Sequence, residues 1–156
     1  MVGSSDYEDV EAGDERAEAW CDTRVVAACG DIRYEVTAEP LGAGQCHCRD
    51  RQYAFGDGPA NAMVVPKGSL HISRGEPRGY ESVTAGGNRA VRKFCPRCGT
   101  PTLGQRFGAP GFVAVLAGSL DDPSMFHPTT AGWVSAAQPW THIDPRLQAF
   151  GQNVGD

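Results

Sequence analysis

The alternation of apolar and polar side chains is clearest over residues 31–37, where Ile32, Tyr34 and Val36 are separated by Arg33, Glu35 and Thr37. A period of two puts every second side chain on one face, so this stretch predicts a half-buried strand. Val25, Val26, Ala27, Ala28 and Cys29 precede it as a second extended run, and Gly30 permits a tight bend between the two. Residues 62–65 read as a core strand carrying Met63, Val64 and Val65, and residues 70–73 as another. The most continuous apolar run is 112–117, which predicts a buried strand. Turn formers punctuate the runs: a Gly-rich link at 56–59, then turns at 74–77 and 86–88. Residues 88–94 carry Val91 and other apolar positions directly into a cysteine pair. Near residue 120, Asp122 is placed to cap a short helix and Pro123 to fill its first position.

Composition sharpens this picture into a mainly β protein. The chain has 156 residues, enough for one domain with a real core. Its Gly 20 and Pro 11 make up about a fifth of the chain, against roughly 12% in average usage, which favours turns and short strands over long helices. Residues 1–19 hold seven acidic side chains against the single Arg16 and read as a solvated, partly disordered tail. Trp20 marks the domain edge, so residues 20–156 are expected to form one domain. Trp133, Trp140 and Phe150 read as core or pocket wall. The net charge of −5, with no run of Lys and Arg, argues against nucleic acid and anionic membrane as partners. No apolar run approaches the length of a membrane span, and the N-terminus is acidic where a signal peptide is basic. A reducing, cytoplasmic setting is the default.

In such a setting six cysteines read as ligands or nucleophiles before disulfides. Cys95, Pro96, Arg97, Cys98 and Gly99 have the spacing of a metal knuckle, in which both thiolates face one ion across a tight turn. A redox Cys-x-x-Cys normally opens a helix, and Gly99, Thr100 and Pro101 disfavour one here. Cys29, beside Gly30 at a turn, is placed to be a third ligand. Cys46 and Cys48 stand at i and i+2, which on a strand would aim both sulfurs one way and His47 the other, as a structural histidine. Arg49 and Arg51 would favour thiolate there, unless they are solvated or paired, with Asp50 as one candidate partner. Cys21 reads as a stray thiol or an extra ligand. Spacing alone gives one tetrahedral zinc site from Cys46, Cys48, Cys95 and Cys98, with Cys29 nearby.

The segments Cys29-Gly30-Asp31-Ile32-Arg33-Tyr34, Cys46-His47-Cys48, the knuckle 94–101, residues 118–123 and Pro139-Trp140 resemble, in order and spacing, the glutathione-dependent formaldehyde-activating enzyme family, which includes centromere protein V-like domains. The resemblance implies a β-tent of stacked antiparallel sheets with zinc held at turns. It implies a structural site at Cys29, Cys95 and Cys98 and a catalytic one at Cys46 and Cys48. The implied reaction is that of a carbon–sulfur lyase joining a small aldehyde to a small thiol such as glutathione. Three positions depart from the family pattern. Ala27 stands where a structural cysteine is expected, Arg51 where the third catalytic cysteine is expected, and Ala131 where the family has a histidine. The alternatives are therefore a catalytically degenerate zinc-binding module, or a metal-free thiol protein acting through Cys46 and Cys48.

Overall fold

A computed structural model describes residues 23–84 and 86–154. The acidic stretch 1–19, Trp20 and Cys21 lie outside the described residues. In chain order the elements are β1 (Thr23–Val26), β2 (Arg33–Val36), β3 (Gly42–Cys46), the helix α1 (Arg49–Phe55), β4 (Ala60–Pro66) and β5 (Leu70–Arg74). They are followed by β6 (Arg78–Val83), β7 (Arg89–Phe94), β8 (Pro101–Arg106), β9 (Phe112–Leu116), β10 (Thr130–Gly132) and β11 (Gln148–Ala149).

The strands form two sheets. The smaller has the order β1-β2-β5 and is antiparallel throughout; the larger has the order β11-β10-β3-β4-β9-β8-β7-β6. The larger sheet departs from a purely antiparallel stack at one end, where β10 runs parallel to both β3 and β11. Close approach there depends on Gly44: a Cβ at that position would overlap the side chain of Thr130.

The period-two pattern of β2 is obeyed. Tyr34 and Val36 are buried, whereas Arg33 and Glu35 are exposed. Ile32, Tyr34 and Val36 pack with Val25, Met63, Val65, Leu103, Val113 and Val115 in a single core shared by both sheets. Tyr34 pins the sheets together. Its hydroxyl donates to the carbonyl of Thr102 at 2.9 Å and lies 3.0 Å from Ser119 Oγ, which in turn donates to the Leu116 carbonyl at 2.7 Å.

β1 stops at Val26, earlier than the apolar run suggests. The Gly30 amide donates to the Ala27 carbonyl at 2.7 Å, and this turn is closed by a positive φ of 76° at Gly30. The anticipated cap is present: Asp122 accepts from the Ser124 amide at 3.0 Å and opens a one-turn 3-10 segment. Trp140 is not core, being 68% exposed on the surface, while Trp133 and Phe150 are half-buried.

Candidate functional site

The turn after β1 and the turn between β7 and β8 meet, and they bring three cysteines together. The sulfurs of Cys29, Cys95 and Cys98 all lie within 4.8 Å of one another, with Cys29 and Cys95 3.6 Å apart. Sulfurs around a tetrahedral zinc at Zn–S distances of about 2.3 Å are separated by about 3.8 Å, so the cluster fits a soft divalent ion with little adjustment. Its two turns are tied to each other. The Ala28 amide donates to Thr100 Oγ1 at 3.1 Å, and the same hydroxyl lies 3.1 Å from the Cys98 sulfur. Within the knuckle the Cys95 amide donates to the Thr100 carbonyl and the Gly99 amide to the Cys95 carbonyl, both at 2.9 Å. Gly99 takes the positive φ, 75°, that this turn requires. Across the outside, Arg97 Nη1 donates to both carboxylate oxygens of Asp31 at 3.0 Å.

These contacts set the order in which the thiols ionise. The hydroxyl and amide of Thr100, followed by the Cys29 amide, bring the Cys98 thiol down to about 6. Cys29 is also helped by the Asp31 amide, but burial and its hydrogen bonds with Cys98 and Cys95 outweigh that donor, and its pKa is raised.

Cys46 and Cys48 do not join this cluster. The single tetrahedral site expected from spacing is corrected to a three-cysteine centre at Cys29, Cys95 and Cys98. Nor do they share a strand face. β3 ends at Cys46, and Cys48 begins α1, its carbonyl accepting from the amides of Arg51 and Gln52 at 2.9 and 3.1 Å. A strand-to-helix bend, not strand periodicity, sets their relative placement. The neighbouring Cys48 side chain is the largest influence lowering the Cys46 thiol, to about 6, with the Cys48 amide and the Arg51 guanidinium adding to it against burial. The neighbouring Cys46 and its own burial raise Cys48.

The surroundings of this pair were not apparent from the cysteine spacing. α1 buries only Gln52, whose amide donates to the carbonyls of His47 at 2.8 Å and Ala136 at 2.7 Å. Arg49 donates to Gln52 Oε1 at 2.7 Å and stacks on Tyr53. Asp50 faces Arg92 of β7 at 3.9 Å. The Arg51 guanidinium extends over Gly104 of β8, where a side chain would touch it. His47 is buried, its amide bound to the Gly132 carbonyl at 3.0 Å and its Nε2 without a hydrogen-bond partner among the described residues. Ala27 and Ala131, at two of the divergent positions, are fully buried.

A mostly β domain that gathers cysteine sulfurs at strand turns, in a geometry suited to a metal, defines the class of protein. The sequence profile of the glutathione-dependent formaldehyde-activating enzyme matches residues 24–136, well over half of the chain, and the chain belongs to that family. A crystal structure of a Rhodobacter sphaeroides protein is similar at 21% identity with a TM-score of 0.52, covering 81% of this chain and 98% of that one. At that identity the likeness speaks to the fold alone. No curated protein matches the chain. Among the described residues, no helix is long and apolar enough to cross a membrane.

Proposed function

We propose that the protein is a carbon–sulfur lyase-type enzyme that joins a small aldehyde to a small thiol such as glutathione, and reverses that reaction, in a reducing, cytoplasmic setting. The reading is supported by the family match over residues 24–136, together with Cys46, whose thiol pKa the neighbouring Cys48 and Arg51 lower. Zinc at Cys29, Cys95 and Cys98, when bound, supplies positive charge that keeps those sulfurs as thiolates and locks the two turns. No such ion suits the second pair. Two sulfur donors beside a permanently protonated guanidinium favour a thiolate over a divalent cation.

In this reading Cys46 is the base. An ordinary thiol gives its proton to the Cys46 sulfur, and the substrate sulfur attacks the carbonyl carbon of the aldehyde. As the carbon–sulfur bond forms, the carbonyl π pair moves to oxygen. The resulting alkoxide takes the proton back from Cys46, leaving a hydroxymethyl thioether and the original thiolate. Arg51 stays beside the negative charge throughout, which is where a fixed cation stabilises a developing anion. Cys48 is the neighbour that most lowers the Cys46 pKa and so favours its thiolate.

Because the adduct also forms spontaneously, the test is exchange NMR of glutathione and formaldehyde with and without the full chain. Wild type should accelerate exchange beyond buffer, and Cys46→Ser should abolish the gain. Wild type no faster than buffer would refute catalysis. It would leave the second reading, a metal-binding module without chemistry, which Ala27 and Arg51 favour because neither supplies a sulfur.

A further inference from the structure

Among the described residues the three-cysteine centre has one donor too few for a closed site. Among the described residues no histidine, cysteine, aspartate or glutamate atom joins Cys29, Cys95 and Cys98 within the 4.8 Å span of the cluster. The Asp31 carboxylate is held by both of its oxygens to Arg97 at 3.0 Å. The Thr100 hydroxyl is shared between the Ala28 amide and the Cys98 sulfur, each at 3.1 Å, and a neutral hydroxyl is a poor zinc ligand. Ala27, two residues before Cys29, presents a buried methyl group. Structural zinc sites are closed by four protein ligands; sites with three keep a position for a ligand from solution.

Access is also provided. Cys98 is exposed and Cys29 half-buried. A shallow open cleft lined by Asp31, Arg74, Gly75, Glu76 and Arg97 runs beside the knuckle and meets the cluster at the buried Cys95. Gly75 keeps the cleft floor in place through a positive φ of 72° and a close approach to the Asp31 carbonyl that a Cβ would obstruct.

We infer that the Cys29, Cys95 and Cys98 centre is an exchangeable three-thiolate metal site whose fourth position is taken by water and can be claimed by a small exogenous thiolate. In the exchange the incoming thiol releases its proton to solvent and displaces the water, with no change of oxidation state. Such an exchange makes no use of Cys46 or Cys48. The inference is therefore independent of the reaction proposed above.

X-ray absorption of the zinc-loaded full chain, reduced with a phosphine so that no small thiol is present, tests it directly. The expected shell is three sulfurs and one oxygen or nitrogen, converting to four sulfurs when 2-mercaptoethanol is added. Cobalt(II) loading should give charge-transfer and d–d bands that shift with the same addition, both in wild type and in a Cys46→Ser/Cys48→Ser double variant. Ala27→Cys should give four sulfurs from the start and remove the shift; if that variant fails to fold, the wild-type shell alone decides. Four sulfurs before any thiol is added would overturn the inference, whether or not Cys21→Ser restores three. Cobalt bands that ignore the thiol, or fewer than three sulfurs, would also overturn it.

Discussion

Replacing Tyr34 by Phe removes one oxygen from the junction between the two sheets and leaves the ring in place. In the native protein two hydroxyl protons, on Tyr34 and Ser119, serve three contacts: Tyr34 with Thr102, Tyr34 with Ser119, and Ser119 with Leu116. After the substitution Ser119 keeps its bond to Leu116, but the Thr102 carbonyl, in a fully buried residue, loses its tyrosine donor. A buried acceptor left unpaired costs about 1–3 kcal/mol, so we expect a loss of about 2 kcal/mol. With a urea m-value of about 2 kcal/mol/M, the unfolding midpoint should fall by about 1 M at unchanged m. The measurement is made on the chelator-treated full chain, so that metal binding adds nothing to the stability of either form. A fall of less than about 0.2 M would refute the claim that this hydroxyl pins the sheets. Alkaline pH supplies a second check. Burial raises Tyr34 above the ordinary tyrosine range, so the folded state keeps a neutral phenol while the unfolded chain ionises near pH 10. Its contribution is complete below that pH and is lost above it at about 1.4 kcal/mol per pH unit. The Phe variant lacks this loss, and the gap between the two proteins should narrow as pH rises beyond 10.

Two further outcomes follow from the sites. Alkylation of Cys46 by iodoacetamide, followed by mass spectrometry, should rise through a midpoint near the value of about 6 set by its neighbours and level off above it. Removing the largest of those influences, with Cys48→Ala, should move the midpoint up toward that of an ordinary thiol, and Arg51→Gln should move it less; an unmoved midpoint in both would show that neither group faces the sulfur. Gly75→Ala forces a methyl group against the Asp31 carbonyl at a positive φ and should destabilise the fold by about 1–3 kcal/mol in urea unfolding, whereas Gly58→Ala, where nothing lies close, should not.

The strands that carry a strict alternation or an unbroken apolar run were readable from the sequence because burial on one face dictates them: β2, β4 and β9 are the examples. β6 escaped because its side chains are almost all exposed, so no apolar period marks it. α1 escaped for a related reason. Its single buried residue is Gln52, held by hydrogen bonds rather than by a hydrophobic stripe. β10 and β11 are short, and their pairing is parallel, a relation that only tertiary structure creates. The knuckle and its Cys29 partner were visible because turn chemistry and cysteine spacing coincide there. The strand face expected for Cys46 and Cys48 is absent because the chain leaves its strand immediately after Cys46.

The parallel pairing of β3 with β10 also bears on the order in which a newly synthesised chain can assemble. β3 ends at Cys46, but the strand beside it arrives only at Thr130–Gly132, and the Gln52 anchor needs the carbonyl of Ala136. On the ribosome, Cys46 and Cys48 must wait for some eighty-odd further residues before their surroundings close, as the 84-residue separation of Gln52 and Ala136 measures. Cys95, by contrast, follows Cys29 by 66 residues, with Cys98 three residues beyond it, and both meet it without help from the last part of the described chain. The three-cysteine centre therefore needs less of the chain to be present than the surroundings of Cys46 and Cys48 do, in a topology whose long-range contacts are the slow part.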